Sequence, residues 1–505
     1  MKRKFLIILS VLLCMAMTGC GRKTAGTGIR SFEDLSGKTI GVQAGTLYED
    51  YVYERIPDAN VELYTDPNTM LLSLSMGKID AYVTDRAAVV FEKKAYPEIV
   101  CMDEVLAAIP CTIGVGEIPG KEVLLLRLND FLARSRADGT LDEMRSYWLE
   151  NCDEDNDKVD RTGITGENGK LVIGVEGNYI PFSYIHNQLP EGYDIDFAYR
   201  FCRRYGYEPV IEMMEYDGLS PALASGKCDI AMNIIYDEER EEGGTLSDPY
   251  YNSEIMVGYF GKAGGKRFSL QRIADSFKKT FIKESRWQQF VNGAVVSLLI
   301  SASSIIIGTL SGLILYIFCR RGGKTRNKAV DVLSRLVEGT PTVVLLMIFY
   351  FIIFGRVNVA KIVVSIVVFS LMFTLTMFSM LKSGELAVGP GQMEAALSQG
   401  FSEFAAYIRI VLPQSAIHFL PQYNSEVVSL INETSIVGYI AILDLTKISD
   451  MIRGRTFEPF FPLISTAIIY FVLAWLLTAG SKKLYRSLCP ETRDLEKKLR
   501  GLDDN

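Results

Sequence analysis

Few residue groupings in this 505-residue sequence have types and spacings that could support catalysis or metal binding. The segment 322–325, Gly-Gly-Lys-Thr, contains the end of a phosphate-binding loop, but Phe318 stands where the earlier glycine is needed and no predicted strand precedes it. The nine cysteines form no Cys-x-x-Cys pair and no Cys/His metal spacing, so neither a zinc site nor a disulfide framework is predicted. We therefore expect no catalytic residues, no metal and no cofactor in this chain, and any ATP used must bind to another chain.

Charge and hydrophobicity divide the sequence into two parts suited to different solvents. Residues 31–262 contain 43 Asp and Glu against 20 Lys and Arg, whereas the net charge of the whole chain is only −7, so the remainder is basic. Apolar residues concentrate in that basic remainder, which indicates a membrane part after an acidic, water-facing part. Nucleic-acid binding is not expected, because the basic residues flank apolar stretches and form no stripe with aromatic residues.

The acidic part consists of two blocks, 31–150 and 170–262, that each alternate short apolar runs with amphipathic helices. This alternation is typical of α/β layers with a mainly parallel sheet. Between the blocks, residues 151–169 are polar and rich in Gly and Asp, so we interpret them as a linker.

The basic part contains several uncharged runs long enough to cross a bilayer. They cover 293–318, 339–355, 362–381 and 459–480. Because Lys and Arg cluster after the first and the last run, both of those ends should be cytoplasmic, and a fifth crossing is then expected within 419–445. The sequence thus predicts an amphipathic interfacial helix at 268–290, a transmembrane domain at 291–486 and a cytoplasmic tail at 487–505.

Residues 1–20 are interpreted as a secretory signal, with a basic start, an apolar run and Met-Thr-Gly-Cys ending at Cys20. This tetrapeptide resembles a bacterial lipobox, which implies cleavage before Cys20 and diacylglycerol on its thiol. An uncleaved anchor or an incidental cysteine stays open as the alternative. In each case the acidic part is expected outside the cytoplasmic membrane.

The cytoplasmic stretch 394–415, EAALSQGFSEFAAYIRIVLPQS, resembles the EAA loop of ABC importer permeases. That resemblance implies a MetI-like, all-α transmembrane permease domain of about five spans, whose short helix–turn–helix fits a groove on an ATPase subunit. Glu394, Ala395, Ala396 and Gly400 are the implied coupling residues. Small alanines permit close approach, and the glycine permits a turn between two helices. An ordinary amphipathic cytoplasmic helix is the alternative.

The acidic part resembles the periplasmic solute-binding proteins of amino acid importers, with its halves in reversed order. Block 170–262 carries NYIPF, GYDIDFAYRF and SDPYY of the usual first lobe; block 31–150 carries SFEDLSGKTIGVQAGT and GKIDAYVTD of the second. The resemblance implies one circularly permuted, two-lobed α/β domain of the type II class. Two damaged domains, each missing a lobe, are the alternative.

The same resemblance implies a ligand site between the lobes, where a zwitterion needs a cation, an anion and apolar walls. Arg240 matches the arginine for the α-carboxylate, Asp85 the aspartate for the α-amino group, and Thr46 a carboxylate-binding threonine. Tyr179 and Tyr216 match the aromatic residues that form the walls of the site. Asn233 and Ile235 also belong to the predicted site but depart from the family pattern, because relatives often have Gly and Thr at these positions. Four of these residues have a structural alternative: Arg240 could form a surface ion pair, Asp85 could cap a helix, and the two tyrosines could belong to the core.

Together these observations predict the membrane subunit of an ATP-driven importer for a small polar solute, with an amino acid as the expected class. Its expected partners are a cytoplasmic ABC ATPase and a second copy of the permease. A ligand-gated channel or sensor with the same binding domain, or a permease whose receptor domain no longer binds, are the alternatives.

Overall fold

The computed structural model describes residues 29–44, 46–151, 158–235, 245–261, 270–320, 323–355, 357, 359–456 and 458–488. The predicted signal at 1–20 with Cys20, Arg240, and most of the predicted tail at 487–505 lie outside these residues.

The described chain is strand-rich up to Phe260 and helical afterwards. The strands are β1 (Thr39–Gln43), β2 (Asn60–Tyr64), β3 (Ala81–Asp85), β4 (Ile99–Cys101), β5 (Ala107–Val115), β6 (Lys170–Glu176), β7 (Tyr184–His186), β8 (Leu189–Glu191), β9 (Glu208–Met214), β10 (Ile230–Ile235), β11 (Thr245–Leu246) and β12 (Tyr251–Phe260). The α-helices are α1 (Tyr48–Arg55), α2 (Pro67–Ser75), α3 (Arg86–Ala95), α4 (Lys121–Ala137), α5 (Thr140–Arg145), α6 (Tyr193–Tyr205), α7 (Leu219–Ala224), α8 (Leu270–Phe277), α9 (Arg286–Arg320), α10 (Gly323–Glu338), α11 (Thr342–Met347), α12 (Lys361–Val388), α13 (Gly391–Ser398), α14 (Glu403–Ala406), α15 (Leu412–Glu433), α16 (Leu445–Thr456) and α17 (Phe460–Leu488).

One continuous sheet joins the two sequence blocks, in the order β2-β1-β3-β12-β5-β10-β6-β9. β1, β2 and β3 are parallel, as are β10, β6 and β9, whereas β12 and β5 run antiparallel to their neighbours. β12 comes from the second block but lies beside β3 of the first, and β5 comes from the first block but lies beside β10 of the second. The blocks thus exchange strands, and we call the β1–β3 side lobe A and the β6–β9–β10 side lobe B.

The lobes meet where β5 pairs with β12, from Cys111 opposite Tyr251 to Ala107 opposite Ile255. Two paired strands that cross between the lobes form a natural hinge, because rotation about them changes the angle between the lobes without breaking the strand pairing inside either lobe. Both lobes are thereby completed within one domain.

The lobe boundary differs from the sequence-based division at 31–150. Trp148 is fully buried in a core that also contains Phe197 and Phe201 of α6, and Phe131 packs edge-on against both of those rings. Trp148 Nε1 also donates to Asp196 Oδ2 at 3.0 Å. Helices α4 and α5 therefore pack on lobe B, because burying these large aromatics against α6 outweighs proximity along the chain.

The helical part packs α9 against α12 through small residues. Ser304 Oγ donates to the Ile366 carbonyl at 3.4 Å, and a Cβ on Gly308 would lie 2.7 Å from Phe373 Cβ. Small side chains let the two backbones approach closely, as in other helix pairs in lipid.

Among the described residues, three helices are long and apolar enough to cross a membrane, at 273–320, 361–388 and 460–480. The number rises to five if each of two bent pairs counts as one span, 326–353 with a bend of 104° and 403–456 with a bend of 59°. The predicted fold class, a two-lobed α/β domain followed by an all-α domain with apolar helices, is confirmed.

The segment predicted as an amphipathic interfacial helix at 268–290 is divided by a kink. A helix runs from Leu270 to Ile282, Glu284 and Ser285 then take left-handed backbone angles, and α9 begins at Arg286. Phe281 packs against Phe290 across this kink. The kink therefore separates a short amphipathic segment from the long apolar helix.

Candidate functional site

The cleft between lobes A and B begins where parallel strands of both lobes end. β1 ends at Gln43 in lobe A, and β6 ends at Glu176 in lobe B. Ligand sites in open α/β sheets lie beyond such carboxyl ends. Gln43 Nε2 donates to Glu176 Oε1 at 2.8 Å in a buried contact, so the lobes touch and the cleft is closed.

Asp85 is positioned at the end of β3 and caps α3. Its carboxylate accepts from the Ala87 amide at 2.6 Å, from the Tyr251 hydroxyl at 2.9 Å and from the Ser253 hydroxyl, and the residue is 1% exposed. Burial raises the pKa of Asp85 to about 6, although the three hydrogen bonds oppose the shift. Asp85 is therefore both a helix cap and a buried carboxylate tied to the hinge strand β12.

Thr46 lies in the turn between β1 and α1. Its hydroxyl donates to the Gln43 carbonyl at 2.7 Å and accepts from the Tyr48 amide at 3.3 Å. The hydroxyl thus stabilises the turn itself. To bind a ligand carboxylate, this loop would have to use a backbone amide, or the Thr46 hydroxyl would have to change its hydrogen-bond partner.

Aromatic residues from both lobes surround the cleft. Tyr179 is buried and stacks on Phe182 at 5.0 Å, and Phe182 in turn meets Tyr251 edge-on at 5.2 Å. Burial, with smaller contributions from the neighbouring Tyr48, Asp85 and Glu176, raises the pKa of the Tyr179 hydroxyl. The predicted wall residue Tyr216 is half-buried in the single turn before α7.

Asn233 and Ile235 lie on β10 at an irregularity in the strand. Asn233 has φ 58°, and the register with β5 shifts between Ala231 and Ile234. Asn tolerates this left-handed conformation better than other non-glycine residues, which explains how it can replace a glycine. Ile235 packs against the lobe A core, so its side chain serves packing.

Thr46 bonds to Gln43 at the lobe contact, and Asp85 and Tyr179 are joined through Tyr251 and Phe182, whereas Arg240 lies outside the described residues. Sequence reasoning missed Gln43 and Glu176. Burial, reinforced by the charge of Glu215, raises the pKa of Glu176 to about 8. Their positions at the carboxyl ends of β1 and β6 were the signal that could have identified them.

Beyond Glu176 the cleft borders a cavity of about 260 Å³ shared with the helical domain. Its lining includes charged groups from both lobes and from the segment 435–453. These are Asp66, Glu176, Glu215, Lys447, Asp450 and Arg453. Within the described part of the chain, no group of three or more His, Cys, Asp or Glu could hold a metal ion.

At the other functional element, the predicted coupling residues lie on a helix–turn–helix. Glu394 and Ala395 are exposed on α13, Ala396 is buried, and Gly400 has φ 88° in the turn. The Ser402 hydroxyl then caps α14 by accepting from the Ala405 amide at 3.3 Å. This arrangement exposes a short helix and its turn for contact with another protein.

The coupling elements connect to the long helices through Arg320 at the end of α9. Arg320 pairs with Glu385 of α12 at 3.0 Å, and its guanidinium lies 5.0 Å from the ring centroid of Tyr407, which follows α14. A force on α13 or α14 would therefore reach α9 and α12 directly.

Comparison with known proteins identifies relatives of both parts. Residues 171–434 match the family model described as bacterial extracellular solute-binding proteins, family 3. The match begins in β6 and extends into the helical part, so most of lobe A precedes it.

Several relatives are named as transport permeases and match about two fifths of this chain. The Bacillus subtilis protein named Probable glutamine ABC transporter permease protein GlnP is 29% identical over 204 residues, 38% of this chain and 90% of that protein. The Salmonella typhimurium Histidine/lysine/arginine/ornithine transport system permease protein HisM is 26% identical over 208 residues, 38% of this chain and 87% of that protein. A solved structure titled as the crystal structure of an amino acid ABC transporter with histidines contains a chain that is 25% identical in sequence to this one, with a TM-score of 0.36. The match covers 44% of this chain and 99% of that chain.

Proposed function

The chain belongs to the bacterial extracellular solute-binding proteins, family 3, and from this premise we propose that it is the membrane subunit of an ATP-driven amino acid importer. In this function the two-lobed domain captures the amino acid outside the cell, and the helical domain translocates it. Relatives named as glutamine and as histidine, lysine, arginine and ornithine transport permeases support the amino acid class.

One observation carries the proposal: a single chain joins a closed two-lobed cleft to an apolar helical domain that exposes a helix–turn–helix. The cleft is closed by the contact of Gln43 with Glu176. The cavity beyond Glu176 is lined by both domains and therefore lies between the cleft and the helices. The exposed turn at Gly400 supplies a surface for an energy-providing partner.

Within the cleft we assign the α-ammonium of the ligand to Asp85. The carboxylate is buried, and two of its three donors are the hydroxyls of Tyr251 and Ser253, which can turn to other acceptors when an ammonium arrives. Arg240 is proposed to bind the α-carboxylate, while Tyr179 and Tyr216 form the walls. The two charged ends of the ligand would then fix its orientation.

The energy would come from a separate cytoplasmic ABC ATPase that docks on Glu394, Ala395, Ala396 and Gly400. Two copies of this chain with two ATPase subunits form the proposed complex. The binding domain would lie outside the membrane and the coupling turn inside. A protease site inserted after Gln399 should therefore resist protease added to intact cells and be cut only after permeabilisation.

The ligand class is tested by equilibrium dialysis of the full chain in lipid nanodiscs against a panel of radiolabelled amino acids. We expect saturable binding of one or a few amino acids at one site per chain. Binding of no member of the panel would contradict an amino acid ligand.

Transport is tested with the chain and its ATPase in proteoliposomes. We expect uptake of the bound amino acid only when ATP is present on the ATPase side. Ligand-induced ion current without ATP would instead support a channel.

A further inference from the structure

Helix α16 of the helical domain lies against both lobes of the binding domain at once. One face of α16 is apolar and packs inside the helical domain, where Leu445, Ile448 and Ile452 meet Phe290. The other face carries Lys447, Asp450, Met451, Arg453 and Gly454. Residues at a spacing of three or four share a helix side, so α16 presents separate surfaces to the two domains.

The contact with lobe A is made by Arg453. Its guanidinium donates to the Thr69 hydroxyl at 2.9 Å and lies 3.5 Å from Asp66 Oδ2. Asp66 caps α2 by accepting from the Asn68 and Thr69 amides, so Arg453 binds the start of a well-fixed helix.

The contacts with lobe B include those of Lys447, Asp450 and Met451, and Arg455 also contacts Ile185 and His186 of β7. Lys447 pairs with Glu215, and the Asp450 carbonyl accepts from Asn178 Nδ2 at 3.5 Å. Met451 is buried in the same apolar cluster as Tyr179 and Phe182, next to the cleft. Lobe B is thus held by polar and apolar contacts together.

Gly454 lies where the two lobes meet. A Cβ at this position would lie 2.6 Å from Asn68 Nδ2 of lobe A and would also overlap Asn178 Nδ2 of lobe B. Asn68 Nδ2 itself donates to the Asn178 carbonyl at 3.2 Å, which closes the rim of the cleft. The backbone of α16 therefore approaches both sides of the closed rim simultaneously.

From this geometry we infer that α16 is a docking surface selective for the closed binding domain, and that its contact with both lobes raises the ligand affinity of the cleft. Opening the hinge separates Asn68 from Asn178, so α16 can follow only one lobe and must release the other. A surface that binds the closed state better than the open state shifts the domain towards closure. Ligand, which also favours closure, then binds more tightly.

The inference rests on the proposed function in taking the cleft as the ligand site. The inference also predicts which lobe moves: removal of the contact between α16 and lobe A should allow lobe A to open while lobe B stays docked on α16. Because two coupled binding events change each other's affinity by the same factor, ligand binding should also strengthen the binding of α16 to the two-lobed domain.

The test compares wild type with Arg453→Gln and Thr69→Val in the full chain in nanodiscs. These variants remove the same contact from opposite sides, so a folding defect in one does not decide the result. The first readout is the Kd for the amino acid found to bind, and we expect it to weaken by at least about fivefold in both variants.

The second readout needs no ligand. Fluorophores introduced through unnatural amino acids at Leu63 and Leu126, exposed residues on lobes A and B, report the distance between lobes. We expect a longer mean distance in both variants than in wild type. Arg55→Gln is the matched control, because Arg55 makes an exposed ion pair with Glu104 within lobe A, and it should leave both readouts unchanged.

A wild-type Kd together with wild-type lobe distances in Arg453→Gln and Thr69→Val would overturn the inference. If wild type binds no amino acid, the proposed ligand class fails, yet the distance readout still decides whether α16 holds the lobes closed.

Discussion

Replacement of Asp85 by Asn should weaken amino acid binding strongly while leaving the binding domain folded. The change removes the negative charge but keeps an acceptor for the Ala87 amide, and Asn is as good a helix cap as Asp. The hydroxyls of Tyr251 and Ser253 can rotate to accept from the new amide. The substitution therefore separates the proposed ammonium-binding role from the capping role.

The magnitude follows from the burial of the carboxylate. A pKa raised from 3.8 to about 6 means that the folded domain disfavours the charged form by about 3 kcal/mol. Because the folded pKa is raised, this group's contribution to stability is present at low pH and is lost as the pH rises from 3.8 through about 6. Asp85→Asn should thus be at least as stable as wild type above pH 6.

Ligand binding should show the opposite pH dependence. An ammonium pairs with the ionised carboxylate, so the Kd of wild type should be about tenfold weaker at pH 5 than at pH 7. Glu176 does not interfere in that window, because burial raises its pKa to about 8 and it stays largely protonated. In Asp85→Asn the loss of one charged hydrogen bond, about 1.5–3 kcal/mol, should weaken the Kd by roughly 10- to 150-fold and abolish the pH dependence.

The assay is equilibrium dialysis at pH 5, 6 and 7, with thermal unfolding of the same samples. Asp194→Asn is the matched control: Asp194 is equally buried, has a pKa raised to about 7 by burial, and accepts from the Tyr250 hydroxyl at 2.6 Å. It should alter stability but not ligand affinity. Wild-type affinity in Asp85→Asn, or one wild-type Kd at all three pH values, would refute an ammonium-binding role.

Three further substitutions test other parts of the structure. Gly308→Leu should prevent recovery of monodisperse protein in size-exclusion chromatography, because its side chain would enter Phe373 across α9 and α12, whereas Gly480→Leu points into open space and should not. Asn233→Ala should lower the Tm by a few degrees, since a left-handed backbone costs other L-residues about 1–2 kcal/mol, and Asn233→Gly should preserve it. Leu397→Glu, at an exposed residue of α13, should abolish stimulation of the partner ATPase in a hydrolysis assay while leaving the ligand Kd unchanged.

Local patterns in the sequence were sufficient to predict the fold class. Alternating apolar runs and amphipathic helices predicted parallel α/β layers, and uncharged runs predicted the apolar helices. Asp85 was predicted through its match to the family's aspartate, and its position at the end of the buried strand β3 also places it at the carboxyl edge of the sheet. The same argument applied to Gln43 and Glu176, but neither had an assigned role in the family pattern and both were overlooked.

Contacts between distant segments could not be predicted in this way. Helices α4 and α5 pack on lobe B because Phe131 and Trp148 find their aromatic partners on α6, about fifty residues or more along the chain. The two-sided polar surface of α16 was also hidden: Lys447 pairs with Glu215 of lobe B, and Arg453 pairs with Asp66 of lobe A as well as with Asp450 of its own helix. Periodicity identifies which face of a helix is polar, but not which domain will cover it.

The reversed order of the lobes has a physical consequence for docking. β12 is the last strand of the domain, and only nine residues separate Phe260 from Leu270 of α8. Nine residues span at most about 30 Å, so the binding domain stays close to the helical domain and its encounter with α16 is intramolecular. High docking affinity is then unnecessary, and a few ion pairs suffice. The contacts of α16 with the two lobes can still regulate the angle between the lobes. Contact with both lobes therefore matters more than the strength of either contact.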